Sequence, residues 1–119
     1  MKTKINKLNP TIITELLKKY KVFSFTKDCD LVYENHVPNT AVALVEGEVE
    51  ITKKSKAFEK ITENCLIGLH HLMHHEPAIY GCRIKKDTKV LLIGKSELKD
   101  ELKNKDSHLY ELFIKSHKN

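Results

Sequence analysis

The sequence predicts a mainly β protein with flanking helices: an antiparallel β-roll, closed or nearly closed like a jelly-roll barrel. Three observations carry this. Apolar residues recur at helical spacing near the N-terminus, switch to short alternating runs between residues 26 and 94, and return to helical spacing after residue 96. The middle runs are brief and divided by polar turns, the rhythm of a sandwich or barrel. At 119 residues, 40% hydrophobic and 31% charged, the chain reads as one globular domain over residues 1–119.

The elements follow in order. Asn9-Pro10 or Thr11 opens a helix over 11–20, because proline is tolerated in a first turn and Asn or Thr can cap it. Ile12, Ile13, Leu16 and Leu17 form its apolar stripe, with Glu15, Lys18 and Lys19 outside. Val22–Phe25 reads as a short extended or one-turn connector. Strands are expected at Leu31–Tyr33, Ala41–Val45, Glu48–Thr52, Ala57–Thr62, Leu66–Ile67, Ile79–Ile84 and Val90–Ile93. In the Glu46-Gly47 hairpin, Val45, Val49 and Ile51 share one parity. Glu46, Glu48 and Glu50 share the other, which predicts a solvated face. Helices return over 96–115: Ser96 caps a run to Lys103 with Leu98 and Leu102 inward. Asp106-Ser107 starts a second, carrying Leu109, Leu112 and Phe113.

The densest stretch is Cys65–Ile84, with four of the seven histidines, two of the three cysteines, two of the four glycines and the only arginine. Leu69, Leu72 and Met73 predict one face of a short helix over about 69–75. His70, His71, His74 and His75 are expected on the opposite, wet face. Glu76-Pro77 ends that helix, since the residue before a proline is pushed from the helical region.

The net charge of +5 comes almost wholly from lysine, interleaved with glutamate. Nucleic-acid readers rely on arginine for bidentate contacts, so this pattern predicts a solvated surface. Three cysteines without a CxxC pair argue against a disulfide framework. The absence of an apolar leader or membrane-length run points to the cytoplasm.

The element order resembles the cyclic nucleotide-binding domain of the catabolite-activator and protein-kinase-A regulatory families. Asp28–Asn35 is similar to that family's Lys-Gly-Asp strand and glycine turn. Leu44–Ile51 is similar to its central hairpin, with Gly47 in place. Asn64–Gly68 is similar to the run entering the phosphate-binding cassette, Pro77–Lys85 to its close, and Lys86–Ile93 to the returning strand. The resemblance implies a β-roll with a ligand pocket at Gly68, Leu69, His70, Ala78, Ile79 and Arg83.

The departures fall on the ligand contacts. The family's glutamate for the ribose hydroxyl aligns with Leu69, which is expected at the pocket floor. Its phosphate-gripping arginine aligns with Ala78, and Arg83 matches a later position that does not hold the phosphate. Turn glycines are replaced by Cys29, Asn35 and Asn64, and the asparagines can hold left-handed turns. A lost arginine contact removes roughly 1.5–3 kcal/mol of charge-assisted bonding. Only the amides opening the short helix remain as anion donors. Cyclic nucleotide binding in the family's manner is therefore not expected.

Four histidines at i, i+4 spacing, His70/His74 and His71/His75, present a candidate metal site, although a third ligand is not evident. Some members of the fold family bind haem, but nothing in the sequence fixes an axial ligand. Cys65 and Cys82 read as buried thiols rather than nucleophiles. No nucleophile–base pair or paired carboxylates appear, so no enzyme and no resident cofactor are expected. The expected function is a non-catalytic regulatory module acting through a protein partner or homodimer, with Leu109, Leu112 and Phe113 as candidate contacts. Alternatives are a small-molecule sensor with an altered pocket, and a metal or haem sensor through His70–His75. The chain stops where the family's helix-turn-helix would start, so neither a DNA-binding domain nor a membrane contact is expected.

Overall fold

The computed structural model describes residues 5–103, 110 and 111. The elements run β1 (Ile5–Lys7), α1 (Pro10–Lys19), β2 (Val22–Phe25), β3 (Cys29–Val32), β4 (Thr40–Glu46), β5 (Val49–Lys53) and β6 (Lys56–Ile61). They continue with β7 (Cys65–Ile67), α2 (Leu69–His74), β8 (Gly81–Ile84), β9 (Thr88–Gly94) and α3 (Lys95–Lys103). The first sheet has the order β1-β7-β4-β9-β2 and the second β3-β8-β5-β6. Every paired ladder is antiparallel. The predicted β-roll with flanking helices is therefore the observed architecture, with two facing sheets rather than a closed barrel.

The layering follows from the central strand. Ala41, Val42, Ala43 and Leu44 are all fully buried, so β4 is covered on both faces. Ala41 and Ala43 face a helix-side core with Leu16, Leu66, Leu69, Leu72, Leu91, Ile93 and Leu98. Val42 and Leu44 face an inter-sheet core with Val49, Ile51, Cys65, Ile67, Ala78, Tyr80, Cys82 and Ile84. Alanine on the helix side leaves room for the leucines of α1, α2 and α3, and the larger side chains fill the space between the sheets.

Four expectations need correction here. Val22–Phe25 is a strand, paired from Val22↔Leu91 to Phe25↔Thr88, and Ile5–Lys7 adds an edge against β7. Sheet structure thus begins before residue 26. The last part of the cassette becomes strand only at Gly81, because the backbone of Ala78 bonds to Asn35 and His36 in the β3–β4 loop. Leu17 lies outside the buried stripe of α1, which rests on Ile12 and Leu16. Glu50 is not solvated but only 7% exposed. Lys85 Nζ lies 3.2 Å from its carboxylate and 2.8 Å from that of Asp28, compensating the buried charge.

Local chemistry sets the element ends. The Asn9 side chain accepts from the Ile12 amide at 2.9 Å and caps α1, with Pro10 in the first turn. Asn35 does adopt the left-handed region, at φ 69°. Asn64 works differently: its amide donates to the carbonyls of Leu44 and Val45 at 3.0 and 2.8 Å, tying the β7 entry to β4. At the far end, Glu101 of α3 accepts from Lys19 at 3.0 Å and from the Tyr20 hydroxyl at 3.2 Å, fastening α3 to the end of α1. Leu98 is buried as expected. Leu109, Leu112 and Phe113 lie outside the described residues.

Gly47 is the tightest hairpin position, at φ 111° with a Cβ there falling 2.5 Å from Thr88 Oγ1 and 2.7 Å from Thr88 Cα. Gly47→Ala is therefore expected to destabilise the protein by about 2 kcal/mol or more, combining backbone strain with overpacking. Urea unfolding of the variant beside the parent measures this.

Candidate ligand cassette

The cassette starts where β7 ends. Gly68 caps α2 at φ 83°, and a Cβ there would make only ordinary contacts, so the residue is required for its backbone angle rather than for space. α2 then runs for six residues, and His75 leaves it in a left-handed conformation at φ 54°. The Glu76 amide bonds the His71 carbonyl at 3.0 Å, closing the helix just before Pro77.

The feature that organises the site is Tyr80. Its side chain is fully buried in the inter-sheet core, and its hydroxyl accepts from the Gly68 amide at 3.2 Å. Of the amides opening the helix, expected to remain as anion donors, that of Gly68 is thus satisfied by the protein's own phenol. Burial holds the Tyr80 hydroxyl well above its ordinary pKa, so the group stays neutral. The ring of His71 meets Tyr80 nearly edge-on, with centroids 5.7 Å apart.

The structure distributes the expected pocket residues over several faces. Gly68 sits at the α2 start and Ala78, 1% exposed, lies in the inter-sheet core. Leu69 is fully buried on the helix side among residues of α1 and α3, so it is not a pocket floor. His70 is half-buried with Nε2 3.8 Å from Glu76 Oε2, and Ile79 is half-buried at the rim of the inter-sheet core. Arg83 points the other way. Its neighbours Cys82 and Ile84 are in the core, and its Nε donates to Asp30 Oδ1 at 3.0 Å on the outer face of the second sheet.

The histidine face is also corrected. His71 is 3% exposed, because α2 is covered by the sheet below and by Tyr80 beside it. His70 and His74 do stack, with ring centroids at 4.4 Å, as their spacing predicts. His75 is off the helix and its Nδ1 lies 3.3 Å from Lys95 Nζ at the start of α3. The four imidazoles therefore do not share one surface. Among the described residues no group of three or more His, Cys, Asp or Glu is placed to hold a metal ion.

Sequence reasoning gave Tyr80 no role beyond strand character. The signal was present: a tyrosine on the inward parity of a buried run needs a partner for its hydroxyl, and such partners are usually nearby backbone groups. Removing only that hydroxyl, Tyr80→Phe, leaves a buried N–H unpaired and is expected to lower stability by about 1–3 kcal/mol, read by thermal or urea unfolding.

The thiols give a second prediction. Cys65 and Cys82 are buried and Cys29 is exposed. Burial pushes Cys65 and Cys82 up from 9.0 to about 12. A thiol reagent at neutral pH should label Cys29 alone in the native protein, and the other two only on unfolding. Linkage follows the same shift. The folded thiols keep protons that the unfolded chain releases near 9, so their contribution is present below that pH and declines as pH rises toward about 12.

The comparisons with known proteins agree on the fold. No known family and no curated protein matches the sequence. Solved structures do match. A protein of a cyclic-GMP-dependent signalling pathway that regulates bacterial phytopathogenesis superposes with a TM-score of 0.77, at 9% identity, over 92% of this chain and 90% of that one. A candidate cyclic nucleotide-binding protein from Geobacter metallireducens gives 0.63 at 18% identity, over 92% and 81%. The catabolite activator protein of Thermus thermophilus gives 0.67 at 12% identity, over 92% of this chain and 51% of that protein. The two-sheet roll, the short helix between β7 and β8 and the closing α3 together give this chain the fold of the cyclic nucleotide-binding domain.

Proposed function

We propose that this chain is a non-catalytic regulatory module, cytoplasmic and acting through a protein partner or a second copy, in which the cyclic nucleotide site has been closed from within. One observation carries the reading: the fully buried Tyr80 takes the Gly68 amide, and the sequence resemblance aligns Ala78 with the family's phosphate-binding arginine. A cyclic nucleotide would have to displace the phenol from its core and would find no guanidinium there. The aligned arginine and glutamate are replaced by apolar side chains that are themselves buried, so restoring affinity needs more than rotamer changes. The solved proteins of similar fold are mostly signalling and regulatory ones, with an EAL enzyme among them, and that majority supports the regulatory reading.

The output side of such a module is in place. α3 is fastened to α1 through Glu101 and touches α2 through Lys95 and His75. Among the described residues no helix is long and apolar enough to cross a membrane.

Calorimetry with cyclic AMP and cyclic GMP tests the closed site. No heat of binding is expected at low micromolar nucleotide, and a rise of several degrees in melting temperature with either one would overturn the reading. Truncation after Asp106 tests the partner role. A folded product that loses a dimer seen by light scattering, or a captured partner, supports it. Unfolding with no change in association state contradicts it.

A further inference from the structure

The outer face of the second sheet carries an open cleft of about 210 Å³ that the cassette does not use. Its floor is the cross-strand pair Gly81↔Thr52. A Cβ at Gly81 would lie 2.4 Å from Thr52 Oγ1, so glycine is what lets the threonine lie across β8. Thr52 is only 7% exposed and lines the cleft. A threonine hydroxyl at the floor of an open cleft can both donate to a ligand and accept from it.

One wall is the Arg83–Asp30 pair. It is made through Nε, at 3.0 Å, and both residues line the cleft. The other wall is aromatic: Tyr33, 56% exposed, lies with its ring centroid 6.0 Å from that of His36. The walls are held apart by a clamp. Glu34 Oε1 accepts from the Lys54 amide at 2.8 Å, and Lys54 and Ser55 both sit at positive φ in the β5–β6 turn.

The charges decide the ligand class. Asp30 and Glu34 balance Arg83 and Lys54 around the cleft, so no net field draws an anion, and a phosphate would meet two carboxylates at close range. We propose that this cleft binds an uncharged polyhydroxylated ligand of the size of one sugar ring. A hydroxyl both donates and accepts, so two neighbouring hydroxyls satisfy Asp30 and the Arg83 fork together, and a third reaches Thr52. The apolar face of such a ring lies against Tyr33. The volume sits below the roughly 300–1,000 Å³ of clefts that take larger ligands, which limits the occupant to a single ring.

The test is an NMR titration of the full ¹⁵N-labelled chain with glucose, galactose, mannose and N-acetylglucosamine to tens of millimolar, and separately with inorganic phosphate. At least one sugar is expected to shift the amides of Tyr33, Thr52, Gly81 and Arg83 while leaving Gly68 and α2 unmoved. Tyr33→Ala, at an exposed position, and Arg83→Lys, which keeps a cation beside Asp30, should each weaken that binding by about tenfold or more. Silence with all four sugars, the same shifts with phosphate, or unchanged affinity in both variants would overturn the assignment. None of these outcomes bears on the closed cassette.

Discussion

Everything in this fold depends on burying β4 on both faces. A strand with one wet side can alternate apolar and polar residues; Ala41–Leu44 cannot, and the protein supplies a cover for each side. The second sheet closes one face and the three helices close the other. α2 is the thinnest part of that cover. Six residues cannot hold a helix by propensity alone, so its position rests on Leu69 and Leu72 above the sheet and on the Tyr80 hydroxyl at its first amide.

That dependence explains how the segment around α2 keeps its place. In a site built to receive an anion, the helix-opening amide is left for the ligand. Here the same amide is satisfied in the resting protein, and the ring supplying the bond also fills the space between the sheets. The arrangement stabilises α2 and, on the function proposed above, closes the site in the same step. From α2 the contacts continue outward: His75 meets Lys95 at the start of α3, and Glu101 further along α3 meets Lys19 and Tyr20.

Much of the fold was legible in the sequence because its signals were strong where the core is strong. The hairpin around Gly47, the run Val90–Ile93 and the stripe of α1 announce themselves by parity or period. Ile5–Lys7 did not, since a three-residue strand with one apolar side chain carries no pattern. Val22–Phe25 was hidden for another reason: as an edge strand it is largely exposed, so its apolar residues do not mark a core face. The solvation of Glu50 and of His71 was misjudged alike. Parity says which face a residue takes, but not whether a neighbour such as Lys85 or Tyr80 covers that face. The site was half legible. The replacements at Leu69 and Ala78 could be read directly. That Leu69 packs toward α1, and that the Tyr80 hydroxyl takes the Gly68 amide, depend on distances between segments that no local pattern encodes.

The most direct test of this account is the hydrogen-exchange rate of the Gly68 amide in the native protein, compared between the parent chain and Tyr80→Phe. The account predicts slow exchange in the parent and a marked acceleration in the variant, with the amides of β4 unchanged. An amide at Gly68 that exchanges as fast as those of an open loop in the parent would contradict it.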